Sequence, residues 1–99
     1  MKMDAAIKTK QGLHKSKGGL IRSFVRTENG IIKDISISGD FFLFPEDAFF
    51  KMIQELKGIP ARREDIERKI QEVYIDENIQ SPGTFPADFA ESIMKALEG

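Results

Sequence analysis

The sequence contains no cysteine among its 99 residues. This absence excludes disulfide bonds, thiolate nucleophiles and iron–sulfur ligation, and it removes most kinds of zinc site. It also suits a reducing compartment, so we expect a cytoplasmic protein. Long apolar runs are lacking as well, because none approaches the roughly 20 residues that a membrane span needs. The N-terminus has no signal-peptide pattern, and we therefore expect no membrane association.

Residues that could perform catalysis are scarce. His14 is the one histidine, and no serine or carboxylate stands at a catalytic spacing from it, so we interpret it as a solvated loop residue. Paired carboxylates, such as Glu46 with Asp47, lie at predicted helix ends, where they suit the helix dipole. No loop has the oxygen-ligand pattern of a magnesium or calcium site. The sequence therefore predicts no catalytic residue and no metal site of its own.

The length of the chain limits what it can enclose. A chain of 99 residues fits one domain, and a domain of this size hides only about two-thirds of the surface of its unfolded chain. The 40% of hydrophobic and 31% of charged residues are ordinary for a globular protein. We expect one domain over residues 1–99 that works with a larger partner and has no activity alone.

Charge is distributed unevenly along the chain. Residues 1–27 hold seven Lys or Arg residues against one Asp, a net charge of +6, whereas residues 28–99 have a net charge of −7. Such asymmetry indicates either an anion-facing end or two halves that neutralise each other across the fold. Charge alone does not decide between these two interpretations.

Strand patterns occupy the first part of the chain. Asn29-Gly30 is the strongest turn signal, because these residues accept positive φ at little cost, and Ile31, Ile35 and Ile37 are predicted to share the buried face of the strand that follows. We predict strands over residues 3–9, 20–28 and 31–38, with a polar basic loop over residues 10–18.

Two registers are open for the second hairpin. A two-residue loop would place Arg26 opposite Lys33, and like charges in that position are unfavourable. A three-residue loop with a bulge at Gly30 would pair Ile21 with Ile37 instead. We favour the three-residue loop.

Helix patterns fill the rest of the chain. The first helix is predicted from Pro45 to Gly58, the second from Arg63 to Asp76 and the third from Pro86 to Gly99. Apolar residues recur at helical spacing in each, including Phe85, Phe89, Ile93 and Leu97 in the third. Strands followed by helices predict an α+β fold, with a three-stranded antiparallel sheet followed by three helices packed on one face.

Two further segments are candidates for a functional surface. Gly18 and Gly19, with Lys15 and Lys17 beside them, could form an anion nest that a ligand approaches closely, although a Gly-Gly pair before a strand is more often a turn or bulge. Five phenylalanines lie within ten residues, and we expect most of them in the core and a minority on an exposed partner surface. Phe50 falls off the apolar stripe of its helix, so it is the best candidate for that surface. The five are Phe41, Phe42, Phe44, Phe49 and Phe50.

The order of several motifs resembles the C-terminal accessory domain of lipoate–protein ligases. The similarity covers roughly residues 5–97. It departs from the family at one point, because the basic residue Lys17 precedes the glycine pair instead of following it. The motifs are Lys-Gly-Gly-Leu-Ile-Arg-Ser at 17–23, Ile-Ser-Ile-Ser-Gly-Asp-Phe-Phe at 35–42, Pro-Glu at 45–46, Leu-Lys-Gly at 56–58 and Pro-Gly-Thr at 82–84.

The resemblance implies a function that needs a partner. In bacterial ligases the accessory domain follows a catalytic domain, for which 99 residues have no room. We therefore expect a separate small subunit, as in two-subunit archaeal-type ligases, that forms a heterodimer with the catalytic subunit. The complex would use lipoate and ATP with magnesium to make lipoyl-AMP, and would then modify a lysine of lipoyl domains. The small chain would bind no cofactor alone.

Within this function, charge stabilisation of the adenylation step leads to a hypothesis about the candidate residues. Lys15 or Lys17 would approach the adenylate, with Gly18 and Gly19 allowing the close contact. Asp40 would cap the turn into the first helix. The partner interface or structural motif would comprise Gly39, Asp40, Phe41, Phe42 and Phe50.

The alternative is a small basic-faced module that binds nucleic acid or protein without an enzymatic role. The basic N-terminal third lacks the interleaved exposed aromatic residues of single-strand binders, so we consider nucleic acid the weaker interpretation.

Overall fold

The sheet has three antiparallel strands in the order β1-β2-β3, in a computed structural model that describes residues 9–98. The strands are β1 (Thr9–Ser16), β2 (Gly19–Glu28) and β3 (Ile31–Gly39), and the helices are α1 (Glu46–Leu56), α2 (Arg63–Glu77) and α3 (Pro86–Glu98). The predicted α+β class and the order of strands before helices are confirmed. None of these helices is long and apolar enough to cross a membrane.

The first strand differs from its prediction. Residues 10–16 belong to β1 and are not a loop, whereas residues 3–8 of the predicted strand lie outside the described part of the chain. Gly12 has a packing role within β1, because a Cβ there would overlap the backbone of Ser92 and Ala96 in α3. A glycine that weakens a strand pattern is therefore what lets the helix pack closely against this strand.

The second hairpin combines features of both predicted registers. Asn29-Gly30 does form a two-residue loop, with Glu28 opposite Ile31, so the preferred three-residue loop was wrong. A bulge at Lys33 then shifts the register, and Arg26 faces Asp34 instead of Lys33. Insertion of one extra residue thus replaces a pair of like charges by a pair of opposite charges.

The bulge also changes which residues face the core. Ile32, which is fully buried, takes the place predicted for Ile31, which is half-buried and bridges to Pro60. After the bulge, Ile35 and Ile37 are buried as predicted. Ser23 therefore lies opposite Ile37, and the predicted pairing of Ile21 with Ile37 was wrong.

The helices lie close to their predicted bounds, and two of them, α1 and α3, cover one face of the sheet. α3 packs on β1 and β2, α1 packs on β3, and α2 packs against both other helices. Phe89 and Ile93 of α3 are fully buried, whereas Phe85 is 61% exposed and was wrongly included in the apolar stripe. Phe85 precedes the first residue of α3 and so does not follow the helical spacing.

Candidate functional site

The glycine segment forms the tight turn between β1 and β2. Ser16 pairs with Gly19 across a two-residue Lys17-Gly18 turn. The backbone N–H of Gly18 donates to the carbonyl O of Gly83 over 2.9 Å. A Cβ on Gly18 would lie 2.5 Å from the carbonyl O of Pro82. The close approach that this glycine permits is therefore to the chain's own backbone, and its N–H is already used.

The second glycine packs against the link between β3 and α1. Gly19 has φ +140, and a Cβ there would lie 2.6 Å from the carbonyl O of Asp40. The Leu20 N–H donates to Oδ1 of Asp40 over 2.6 Å, and the Asp40 N–H donates back to the Leu20 carbonyl over 3.2 Å. Asp40 thus holds the start of β2 against the link between β3 and α1. The prediction that it caps the turn into α1 was wrong. Pro45 is the N-cap residue of α1, and no side chain caps that helix.

A chain of hydroxyl groups fixes the same region from the other side. The Ser16 hydroxyl donates to the Gly19 carbonyl over 2.8 Å and lies 2.9 Å from Oγ1 of Thr84, which is 1% exposed. The Ser81 hydroxyl donates to the Thr84 carbonyl over 2.6 Å and lies 2.7 Å from the Tyr74 hydroxyl. Burial raises the pKa of Tyr74, and the hydrogen bond with Ser81 opposes that shift. Sequence reasoning missed this network, because the contact that joins its two parts, between Ser16 and Thr84, spans 68 positions of the chain.

The two candidate lysines lie on the surface of this first hairpin. Lys17 is exposed in the turn, and Lys15 is exposed on β1, opposite Leu20. Lys15 points away from the helices, because its neighbours Ser16 and His14 point toward them. The structure thus brings the four predicted residues of the glycine segment together. Whether Lys15 or Lys17 contacts an adenylate stays a prediction.

The phenylalanine cluster divides between core and surface. Phe41 is half-buried, with its ring centroid 5.0 Å from that of Phe89 and 5.8 Å from that of Phe49. Phe42, Phe44 and Phe50 are 63%, 59% and 70% exposed. The expected exposure of Phe50 is confirmed, whereas the expectation that most of the five lie in the core was wrong. A shallow cavity of about 250 Å³ lies here, lined by Phe41, Leu43, Glu46, Phe49 and Phe50.

His14 has partners that sequence spacing could not reveal. Nε2 of His14 lies 2.8 Å from Oδ1 of Asp88, and Nζ of Lys95 lies 3.4 Å from Nδ1 of His14. Its side chain is 21% exposed, so the interpretation as a solvated loop residue was wrong. The second carboxylate oxygen of Asp88 accepts from the Phe85 N–H over 2.8 Å, just before α3 begins. The histidine therefore joins β1 to the start of α3, and both of its ring nitrogens are occupied.

Metal ligation has no basis in the described residues. Within 9–98, no three His, Asp or Glu side chains converge in a way that could hold a metal ion. The magnesium expected with ATP does not fit any cluster in this part of the chain.

The comparisons with known proteins all indicate the same family. The family described as "Bacterial lipoate protein ligase C-terminus" matches residues 9–93. "Lipoate-protein ligase A subunit 2" of Thermoplasma acidophilum is 39% identical over 79 residues, which cover 80% of this chain and 81% of that protein.

A solved structure from the same organism has the same fold. It is described as an archaeal lipoylation system with a bi-partite lipoate protein ligase and its E2 lipoyl domain. One of its chains superposes with a TM-score of 0.79 at 36% identity, which covers 88% of this chain and 96% of that chain. The glycine hairpin and the Gly-Asp-Phe-Phe segment both lie within the matched residues, and the chain belongs to the family of the lipoate protein ligase C-terminus.

Proposed function

We propose that this chain is the accessory subunit of a two-subunit lipoate–protein ligase. Together with a catalytic subunit it would support ATP-dependent activation of lipoate to lipoyl-AMP, before transfer to a lysine of lipoyl domains. The observation that carries the proposal is the 39% identity to a protein named as subunit 2 of such a ligase, across 80% of this chain and 81% of that protein. We also propose a cytoplasmic location for the complex.

The arrangement of the first hairpin supports a part in the activation step. The lipoate carboxylate attacks the α-phosphate of ATP, pyrophosphate leaves, and negative charge develops at the reacting phosphate. A cation held in a fixed position near that charge would stabilise the transition state. Lys17 extends from a turn that is tied to Gly83 on one side and to Asp40 on the other. We therefore retain Lys17, with Lys15 as the second candidate, as the group that approaches the adenylate.

Lipoate, ATP and magnesium belong to the pocket of the catalytic subunit in this proposal. The described residues offer no cluster of metal ligands, and the Gly18 N–H is bonded within the chain. We therefore assign this chain no step through the metal. Its contribution would be a positioned cation and a surface that excludes water from the reacting groups.

Exposed aromatic residues near α1 are candidates for partner contact. Phe42 and Phe50 leave most of their rings in solvent, which is costly unless a partner covers them. Gly39, Asp40 and Phe41 have structural roles in the β3–α1 link. A direct contact of Phe42 or Phe50 with the catalytic subunit remains part of the proposal.

The proposal is tested by mixing the purified chain with the catalytic ligase subunit from the same organism. We expect the two to co-elute in gel filtration. We also expect lipoate-dependent ATP–pyrophosphate exchange to appear only when both are present. Failure to co-elute together with unchanged exchange would refute the accessory-subunit proposal, as would formation of lipoyl-AMP by this chain alone.

A further inference from the structure

Among the helices of residues 9–98, none covers one of the two faces of the sheet. β2 turns Ile21, Ser23 and Val25 toward the helices, and its alternate residues point the other way. Within residues 9–98, α1 and α3 are the helices that contact the sheet, and both lie on the face that contains Ile21. We call the opposite surface the open face. Its rows across the strands are Gln11, Phe24 and Ser36; Leu13, Arg22 and Ser38; Lys15 with Leu20; and Arg26 with Asp34.

The open face carries positive charge that no ion pair within residues 9–98 neutralises. Residues 9–27 include five basic and no acidic residues, and Lys15, Arg22 and Arg26 lie on this face. The ion pairs found among the described residues involve none of these three. Arg26 lies opposite Asp34, but the ion pair of Asp34 is with Lys57. The structure thus favours an anion-facing surface over neutralisation within the fold.

Apolar side chains alternate with these cations. Lys15 lies opposite Leu20, and Arg22 lies opposite Leu13, at the distance of about 5 Å that is usual for cross-strand neighbours. Leu13 is 44% exposed. Two cavities open here: one of about 410 Å³ lined by Leu20, Arg22, Ser38, Gly39 and Asp40, and one of about 130 Å³ lined by Phe24, Arg26, Asp34, Ile35 and Ser36.

We propose that the open face docks an acidic, partly apolar surface of the catalytic subunit, an inference that rests on the proposed function. A carboxylate of the partner would accept two hydrogen bonds from the guanidinium of Arg22, which is the favoured geometry for such a pair. Apolar side chains of the partner would cover Leu13 and Leu20. Arginine beside apolar residues is the composition typical of protein interfaces, whereas isolated lysines are depleted there.

A protein fits this face better than a nucleic acid does. Among the described residues, the most exposed apolar side chain of the open face is Leu13, at 44%, whereas the one aromatic ring on this face, that of Phe24, is half-buried and offers little surface on which a base could stack. The cavity beside Phe50 offers no comparable argument, because its one charged lining residue is Glu46.

The test measures binding of the full chain to the catalytic subunit by calorimetry at low and high salt. The variant is Arg22→Glu, and the matched control is Arg68→Glu on α2, which makes the same charge change on the helical side. Leu13→Asp is the second variant, and it is used if circular dichroism shows that Arg22→Glu does not fold. We expect Arg22→Glu or Leu13→Asp to weaken binding at least about tenfold, and the control to stay within about twofold.

The outcomes separate this inference from the proposed function. If the unaltered chain does not bind the catalytic subunit, the proposed function fails. If it binds and both Arg22→Glu and Leu13→Asp bind equally well, the open face is not the docking surface, although the function stands. A loss of affinity in Phe50→Ser alone would place the docking surface beside α1. Salt-sensitive binding of a single-stranded oligonucleotide that is abolished by Arg22→Glu, with subunit binding unaffected, would assign the face to nucleic acid.

Discussion

The backbone N–H of Gly18 donates a 2.9 Å hydrogen bond to the carbonyl O of Gly83, although the two residues are 65 positions apart. Gly83 has φ +80, and a Cβ on it would lie 2.8 Å from the Gly18 nitrogen. Neither residue therefore has room for a side chain at this contact. The Gly-Gly and Pro-Gly-Thr motifs, which are distant in sequence, are two halves of one structural feature.

Replacement of Gly18 by alanine tests that contact. The new Cβ would lie 2.5 Å from both the Pro82 carbonyl O and Oγ1 of Thr84, so residues 82–84 must move away. We expect Gly18→Ala to lower the free energy of unfolding by about 1–3 kcal/mol in urea titration. Lys17→Ala is the control, because its exposed side chain should change stability by less than about 0.5 kcal/mol. Equal stability of the two variants would mean that the loop adapts without cost.

Lys17→Ala also tests the proposed role of the hairpin in activation. Because the lysine would stabilise developing charge on the phosphate, we expect its loss to lower lipoate-dependent ATP–pyrophosphate exchange by about tenfold or more. Co-elution with the catalytic subunit should persist. Lys33→Ala is the matched control, since Lys33 is an exposed lysine near the opposite end of the sheet. Unchanged exchange with unchanged complex formation would remove Lys17 from the mechanism.

Asp88→Ala tests the join between β1 and the start of α3. The variant loses the hydrogen bond to His14 and the bond from the Phe85 N–H. A hydrogen bond to a free N–H at the start of a helix contributes about 1 kcal/mol to stability. We therefore expect Asp88→Ala to lower the free energy of unfolding, measured by urea titration, by about 1–2 kcal/mol in total. Asp47→Ala, in the exposed first turn of α1, should cost less than about 1 kcal/mol. A smaller effect at Asp88 than at Asp47 would contradict this assignment.

Tyr74 makes stability depend on pH at the alkaline end. Burial raises its pKa above the ordinary 10.0, so the unfolded chain releases this proton at lower pH than the folded chain does. The contribution of Tyr74 to the free energy of unfolding is complete below about pH 10. It is lost as the pH rises through the pKa of Tyr74 in the folded chain. We expect Tyr74→Phe to show a smaller fall in the urea midpoint between about pH 8 and pH 11. Equal falls in both proteins would contradict the raised pKa.

Local patterns predicted the helices well but could not predict the register of the second hairpin. The turn at Asn29-Gly30 is readable because both residues need positive φ, at 55 and 77. The bulge at Lys33 is not, since it depends on which charges face each other after pairing. The same holds for the site, because the bonds of Asp40 with Leu20 and of Asp88 with His14 join residues that no spacing rule connects.

The strand at residues 9–16 shows a second reason why sequence alone falls short. Its lysines and Gly12 match a loop, yet the strand forms because β2 pairs with it and α3 packs over it. Tertiary contacts can override weak local preference in this way. The resemblance to a family identified the glycine segment as important, whereas only the structure showed that its glycines contact the chain's own backbone.

The hydroxyl groups of Ser23 and Ser92 lie 2.8 Å apart and are fully buried between β2 and α3. The Ser23 hydroxyl depends on Ser92 for its hydrogen bond more than the Ser92 hydroxyl depends on Ser23. Ser92 also lies 3.2 Å from the Gly12 carbonyl and 3.4 Å from the Ile21 carbonyl, whereas the one hydrogen bond that the Ser23 hydroxyl makes with described residues is to Ser92. Removal of Ser92 therefore leaves a buried hydroxyl without a partner, but removal of Ser23 does not.

A double-mutant cycle measures this asymmetry. We expect Ser23→Ala to cost about 1 kcal/mol and Ser92→Ala about 2–3 kcal/mol, because an unsatisfied buried hydroxyl carries its full desolvation penalty. Once the Ser23 hydroxyl is gone, Ser92→Ala no longer leaves it unpaired, so the double variant should be no less stable than Ser92→Ala alone. Urea titration of all four proteins gives the coupling energy. If the two single losses simply add, the hydroxyls do not depend on each other, and the polar contact between sheet and helix does not stabilise the fold.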